Sequence, residues 1–192
     1  MKKGKKMKNK GWIYIILFLI VLGVFSVRII LVNATFPDAE NIYISQENSA
    51  EIQKYFSMKI NYSKWLSDAE KKDKFGDYLA VGSMDDLILE VNVTFENRLS
   101  KKKYINISSV YFENTQHYTN GIALELYQIE NDNPSLELEM KPKEKITCNL
   151  VYGITNVDFT EEQWNNLKTE KGFLVCERYP VKTWWEIAAE GF

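Results

Sequence analysis

The chain has little of what enzyme active sites are commonly built from. Its 192 residues include a single histidine, His117, and no Gly-x-Ser-x-Gly motif. A Ser–His–Asp or Cys–His site would have to use His117, which stands in the polar segment 114–121, typical of a solvated loop. A second histidine for a zinc pair, a glycine-rich phosphate loop and a dinucleotide fingerprint are all missing. The sequence therefore predicts no catalytic residues, no metal and no cofactor.

Carboxylates are plentiful, so an acid pair for glycoside hydrolysis is the one enzymatic alternative that stays open. The nearest clusters are Asp85 with Asp86, and Asp73 with Asp77. Both stand in turn-like contexts, where aspartate caps nearby backbone groups. An envelope hydrolase is therefore the third of three hypotheses.

The first 33 residues lack acidic side chains altogether, and the first ten residues hold six lysines. In residues 12–32, 16 of the 21 side chains are Ile, Leu, Val or Phe. As a helix this run reaches about 31 Å, which matches a bilayer core of about 30 Å. Because lysines favour the cytoplasmic side, we expect a cytoplasmic tail (1–10), a transmembrane helix (11–32) and an extracytoplasmic remainder. The predicted location is the cell membrane, with one crossing.

Arg28 is the only charged residue in the apolar run. Its long side chain can extend to the outer headgroups, and the alternative is a contact with an acidic residue on another membrane helix. Cleavage as a secretory signal after Ala34 is a second alternative. We favour a retained anchor because Arg28 and the apolar residues 29–32 stand where a polar region should precede the cleavage site.

Residues 34–192 carry 17 basic and 26 acidic side chains, a formal charge of −9. Such a surface disfavours binding to nucleic acid or to anionic lipid. We expect residues 33–49 to form a tether and residues 50–192 to form one domain.

Alternating apolar and polar residues predict mostly β-structure in this part. The clearest strand covers residues 87–95, with Val91 on the buried face and Asn92 on the other. The other predicted strands cover residues 41–45, 56–62, 104–112, 122–129, 136–140, 146–152 and 173–179. Residues 64–77 are expected to form a partly helical surface connection, and residues 184–187 an apolar tail. Thr160 and Gln163 stand at capping-box spacing, which predicts a helix at residues 160–167. Short strands with turns between them favour an immunoglobulin-like antiparallel β-sandwich.

Three segments carry a resemblance to a known family: residues 87–97 (LILEVNVTFEN), 138–152 (LEMKPKEKITCNLVY) and 173–180 (FLVCERYP). They resemble the small immunoglobulin-like, telokin-like domains found outside the membrane in many Gram-positive bacteria, behind a single N-terminal anchor or a lipid-attachment cysteine. The chain departs from that pattern at Lys143-Glu144, where a glycine is missing, and in a longer insertion before the last strand. The resemblance implies a fold and a location outside the membrane, and it assigns no catalytic residue to this chain.

The two cysteines, Cys148 and Cys176, lie in two predicted strands. If these strands are antiparallel neighbours, pairing Tyr152 with Gly172 places the cysteines opposite each other, and a disulfide would be compatible with the extracytoplasmic location. The alternative is a pair of buried thiols.

Four tryptophans fall in predicted connections or in the tail: Trp65, Trp164, Trp184 and Trp185. Exposed rings would suit a glycan or protein partner, and buried rings would plug the ends of a sandwich. The first hypothesis is a single-pass surface protein whose domain binds a protein or cell-envelope partner. The second is an accessory subunit of a membrane complex, held by helix contacts at Arg28.

Overall fold

The structure, a computed structural model, describes residues 8–36, 39–76, 79, 86–116, 118–132, 135–167, 169–176 and 180–188. The chain divides into two units, residues 1–38 and residues 39–192.

The first unit is one helix, α1 (Lys8–Thr35). Within it, the stretch Gly11–Thr35 is strongly apolar, and its most apolar part is not buried against the rest of the protein. By length and composition this helix is suited to cross a membrane. The expectation of one N-terminal apolar helix is confirmed.

The second unit consists mainly of strands. The described strands are β1 (Glu40–Ile44), β2 (Ala50–Gln53), β3 (Phe56–Trp65), β4 (Leu87–Asn97), β5 (Lys103–Asn106), β6 (Tyr111–Asn114), β7 (Thr119–Asn120), β8 (Glu137–Met140), β9 (Lys145–Ile154), β10 (Gly172–Cys176) and β11 (Val181–Ile187). The helices are α2 (Asp68–Phe75), α3 (Leu124–Asn131) and α4 (Glu161–Asn166).

The strands form two large sheets and one small ribbon. Sheet A has the order β1-β11-β10-β6-β7, sheet B has the order β2-β3-β4-β9, and β5 pairs with β8. All pairs are antiparallel except β1 with β11, which is parallel. The predicted mainly-β sandwich is confirmed, and its finer assignment to the immunoglobulin type stays a prediction.

Side chains from both sheets meet in one core. Val91 and Leu89 of sheet B are fully buried there together with Leu174 and Trp185 of sheet A. A smaller apolar cluster joins Phe75 of α2 to Ile88 and Val151 on the other face of sheet B. Sheet B is therefore buried on both faces near the start of β4. The alternation of apolar residues in the sequence reveals only the face that points into the main core.

Two local predictions are confirmed in atomic detail. In α4, the Thr160 hydroxyl accepts from the Gln163 amide N–H, and the Gln163 side chain accepts from Thr160 N–H. In β4, alternate side chains from Leu89 to Phe95 face the core, as the sequence predicts.

The predicted strand at residues 122–129 is wrong, because these residues begin the helix α3. Their apolar positions alternate, yet Ile122, Leu126 and Ile129 also have helical i, i+4, i+7 spacing. Both Leu126 and Ile129 pack against the smaller apolar cluster, and Tyr127 is buried in the main core. Packing on two sides therefore selects the helix.

The predicted single strand at residues 104–112 is also wrong, since it is divided between β5 and β6. Asn106 ends β5, and its side-chain oxygen accepts from Ser108 N–H, which caps a short 3-10 helix, Ile107–Ser109. Local side-chain bonds of this kind compete with strand pairing. The break lets the chain leave the ribbon and enter sheet A.

Two further predictions need correction. An irregularity between Ile60 and Tyr62 in β3 turns Tyr62 outwards and buries Ser63 and Trp65 instead. The predicted apolar tail at residues 184–187 belongs to β11, a central strand of sheet A. His117 lies outside the described residues.

Candidate functional site

Three aromatic side chains form a cluster on the outer face of sheet A, which we call the aromatic face: Tyr43, Phe173 and Trp184. Tyr43 and Trp184 are partners in the β1–β11 register, and their rings stack at 5.7 Å with an interplanar angle of 19°. Phe173 on β10 meets Trp184 edge-on at 5.4 Å. Trp184 is only 8% exposed, whereas Tyr43 is 65% exposed. The face therefore presents one tyrosine ring on a buried aromatic support.

Polar contacts fix the position of Trp184. Its indole N–H donates to Asn41 Oδ1 at 2.9 Å. Lys182 Nζ lies 3.8 Å from the centroid of the Trp184 ring and donates to both Glu113 carboxylate oxygens, at 2.8 and 3.0 Å. A cation over an indole is attractive, and it is worth about 0.5–2 kcal/mol depending on solvent exposure. Because Lys182 and Trp184 are held from several sides, Tyr43 rests on a rigid base.

A second polar group lies on the outer face of sheet B, where α2 and α3 contribute side chains to it. Glu90 of β4 is 1% exposed, and its carboxylate accepts from Lys74 of α2 at 2.6 Å and from the Tyr62 hydroxyl at 3.2 Å. Lys74 also donates to Glu130 of α3 at 2.6 Å. Burial opposes the charge on Lys74, but its bonds to Glu130 and Glu90 outweigh this effect and raise its pKa.

The same group extends along the sheet as a row of asparagines. Asn61 donates to Asn92 Oδ1 at 2.7 Å, Asn92 donates to Asn149 Oδ1 at 2.5 Å, and Asn149 donates to Glu130 at 2.9 Å. The row links strands β3, β4 and β9 to α3. Its side chains bond to one another, so this region holds the helices on the sheet and leaves few groups for a ligand.

The start of α2 is fixed by a capping box. Ser67 and Glu70 exchange side-chain and backbone hydrogen bonds, and Lys64 donates to Glu70 at 2.9 Å. The bond from Lys64, followed by those from Ser67, lowers the pKa of Glu70 to about 2. This carboxylate is partly exposed and serves the helix terminus.

One end of the sandwich has a cavity of about 220 Å³ between the two sheets. Trp65 and Phe112 line it and meet edge-on at 6.1 Å. Glu170 lies at its rim, where it accepts from Asn114 and Thr115 at 3.3 and 3.2 Å. Since Glu170 is engaged by the neighbouring loop, the cavity lacks a free reactive group among the described residues at its rim.

The four predicted tryptophans are not an exposed row. Trp65, Trp184 and Trp185 are 5%, 8% and 0% exposed, and Trp164 packs against the core. Contact with a partner needs exposed rings, so their burial favours the alternative in which they fill the sandwich. Among the described residues of sheet A, Tyr43 has an aromatic ring that is 65% exposed.

The predicted pairing of the cysteine strands is wrong. Cys148 lies in β9 of sheet B, opposite Val93, and Cys176 lies in β10 of sheet A, opposite Thr183. Both side chains are buried, and the two cysteines do not form a disulfide. Burial raises the pKa of Cys148 to about 12, so this thiol is not a nucleophile at neutral pH.

The carboxylate clusters considered for hydrolysis are only partly described, since Asp77 and Asp85 lie outside the described residues. Among the residues that the structure does describe, no group of three or more His, Cys, Asp or Glu side chains is placed to hold a metal ion.

Fold and site together define a class: a mainly-β sandwich that follows one apolar helix. Residues 34–183 match the family described as "Domain of unknown function (DUF5028)", and because this match spans most of the chain, the chain belongs to that family. No curated protein is significantly similar to this chain in sequence.

Solved structures with a similar fold come from several bacteria. The secreted protein MPT63 from Mycobacterium tuberculosis has a TM-score of 0.49 at 10% identity, over 77% of this chain and 98% of that one. A conserved hypothetical protein from Bacillus anthracis gives 0.47 at 16%, over 72% and 92%. An uncharacterized β-sandwich protein from Clostridium difficile 630 gives 0.45 at 10%, over 78% and 95%. At these identities the likeness concerns the fold alone.

The sequence does not reveal that Tyr43, Lys182 and Glu113 belong to one surface. Asn41 and Tyr43 do alternate with Ile42 in the sequence, which places both on one side of a strand. Which sheet that strand joins is decided by its parallel pairing with β11, a contact across about 140 residues of chain that no local pattern encodes.

Proposed function

We propose that this chain is a single-pass membrane protein whose sandwich domain lies outside the cytoplasm and binds another component of the cell envelope. The contact surface in this proposal is the aromatic face, and catalysis has no part in it. The proposed location is the envelope of a Gram-positive bacterium. It rests on the resemblance of three strand segments to the telokin-like domains and is part of the same proposal.

The anchor is supported by the composition of α1. All of its apolar side chains from Trp12 to Val32 are exposed within the chain, and a lipid environment would cover them. The lysines before it favour a cytoplasmic N-terminus. External protease on intact cells should therefore digest the sandwich and leave the lysine tail protected. Protection of the sandwich would contradict the orientation.

The observation that carries the binding function is the exposure of Tyr43 on a rigid base. Partner contacts concentrate on aromatic residues held in fixed positions, and tyrosine is among those most enriched there. Here Trp184 and Phe173 hold the Tyr43 ring in place. The ring is therefore ordered before a partner binds, and binding would cost little further conformational entropy. Lys182 and Glu113 add a charged pair beside it.

The test is photo-crosslinking in whole cells from a benzophenone side chain placed at residue 43. The matched control carries the same group at Tyr104, which is 52% exposed on the β5–β8 ribbon. We expect an adduct with another envelope component from position 43 and none from position 104. Protease sensitivity of the captured species distinguishes a protein from a glycan. Equal adducts from both positions, or an adduct of this chain with itself only, would contradict the function.

The accessory-subunit hypothesis is supported by Arg28. It is charged and exposed within the apolar helix, where Phe25, Ile29 and Val32 are its apolar neighbours. If a membrane partner carries the pairing acid, Arg28→Leu should abolish co-purification, while Tyr43→Ser should not. The opposite pattern supports binding through the sandwich.

A further inference from the structure

Sheet edges expose unpaired backbone groups, and natural proteins usually protect them. In this sandwich the edge of β9 is protected by α3 and by the residues just before it. Asn131 bonds both backbone groups of Asn149, donating to its C=O at 2.8 Å and accepting from its N–H at 2.7 Å. Ala123 N–H donates to Val151 C=O at 2.8 Å, and the Asn120 side chain donates to Gly153 C=O.

Two other edges are short or irregular. Strand β7 has only two residues, and β2 has four residues with a register irregularity between Glu51 and Gln53. Short strands and bulges are common ways of blocking edge-to-edge pairing. The edge strand β1 differs from these because it has five regularly paired residues.

No described strand pairs with the outer side of β1. Glu40 N–H donates to Pro180 C=O at 2.9 Å, so Glu40 faces β11, and by strand alternation Ile42 and Ile44 do too. The backbone groups of Asn41 and Tyr43 then point away from the sheet, where no described residue bonds them. The side chain of Ile42 remains 40% exposed beside this edge.

We propose that β1 pairs antiparallel with β1 of a second copy of this chain, about a two-fold axis at Ile42. In this register Asn41 of each copy lies opposite Tyr43 of the other, so the two outward-facing residues exchange four N–H···O=C bonds in total. The two Ile42 side chains face each other across the axis. Sheet A thereby becomes one continuous sheet through both copies.

The sequence of β1 is self-complementary in this register. Glu40 lies opposite Ile44 of the other copy, so no like charges meet, and the exposed apolar Ile42 is covered by its own equivalent. Moving the axis to Asn41 would place Ile42 opposite Glu40. Moving it to Tyr43 would require Ser45 C=O, which already accepts from Asn48 N–H at 3.0 Å. The axis at Ile42 uses every outward group of the strand.

The inference rests on the open edge alone and holds whether or not the aromatic face binds an envelope partner. Its test is oxidative crosslinking of the full-length Ile42→Cys chain in membranes. Facing residues at a non-hydrogen-bonded antiparallel position are close enough for a disulfide. The matched control is Tyr62→Cys, since Tyr62 is 43% exposed but lies in sheet B. The native thiols are 8% and 2% exposed and supply little background.

We expect Ile42→Cys to yield a species of twice the chain mass, about tenfold above Tyr62→Cys. Adding Tyr43→Pro removes one outward N–H without touching the bonds to β11, so the yield should fall to the control level. Tyr43→Ala keeps that N–H and should keep the crosslink. A yield from Ile42→Cys no higher than the control, or a linked species of another mass, overturns the proposal.

Discussion

Lys74, Glu90 and Glu130 form the polar group between sheet B and the helices α2 and α3. The substitution Lys74→Met tests how much this group contributes to stability. Lys74 bonds two carboxylates, Glu90 and Glu130, each at 2.6 Å. Their side chains are 1% and 12% exposed, so both would stay shielded from water without their cation. Removing one partner of a buried ion pair typically costs about 3–5 kcal/mol. Lys64 still lies 3.9 Å from Glu90, so we expect a loss of about 3 kcal/mol in the free energy of unfolding.

The measurement is urea unfolding of the full-length protein in detergent, followed by the fluorescence of the buried tryptophans. With a slope of about 1–3 kcal/mol per molar urea, the midpoint should fall by about 1–3 M. Lys145→Met is the matched control, because its pair with Glu96 spans 3.7 Å at an exposed site. That change should cost less than about 0.5 kcal/mol.

A double-mutant cycle separates the ion pair from the loss of the lysine stem. Glu90→Gln in the Lys74→Met background removes one stranded carboxylate and should recover roughly 1 kcal/mol or more, since residues in contact couple by about 0.5–3 kcal/mol. If Lys74→Met costs no more than Lys145→Met, or if the cycle shows no coupling, the group does not hold the helices on sheet B.

The remaining predictions concern the strand faces, the acid limb of stability and the thiols. Val91→Asp places an unpaired carboxylate in the main core and should lower the free energy of unfolding by more than about 4 kcal/mol. Asn92→Asp loses one donor in the asparagine row and should lower it by about 1–2 kcal/mol. Equal losses in urea unfolding would show that the two faces of β4 are misassigned. Because the pKa of Glu70 is lowered in the folded state to about 2, its contribution is present above the ordinary pKa of 4.5 and is lost as pH falls towards 2. Glu70→Gln should therefore flatten the dependence of unfolding free energy on pH between these limits, and an unchanged slope would refute the assignment. Titration of denatured, unreduced protein should detect two thiols, Cys148 and Cys176, with slow maleimide labelling before unfolding; detection of none would show a disulfide.

The sequence alone was sufficient to predict the features that depend on residues close together in the chain. The apolar helix α1 follows from composition, since 16 of the 21 residues in its apolar run are Ile, Leu, Val or Phe and a helix satisfies its backbone hydrogen bonds within the run itself. The Thr160 capping box follows from two residues three positions apart. The core face of β4 follows from strict alternation.

Tertiary contacts decided the rest. Alternation at residues 122–129 fits a strand and a helix equally, and only the two apolar clusters on either side selected α3. Glu90 alternates as a solvent-facing residue, yet α2 and α3 bury it with Lys74, because the outer face of sheet B is covered by chain distant in sequence. Cys148 and Cys176 fell into different sheets, since strand pairing depends on which partners fill the core together and not on the strands themselves.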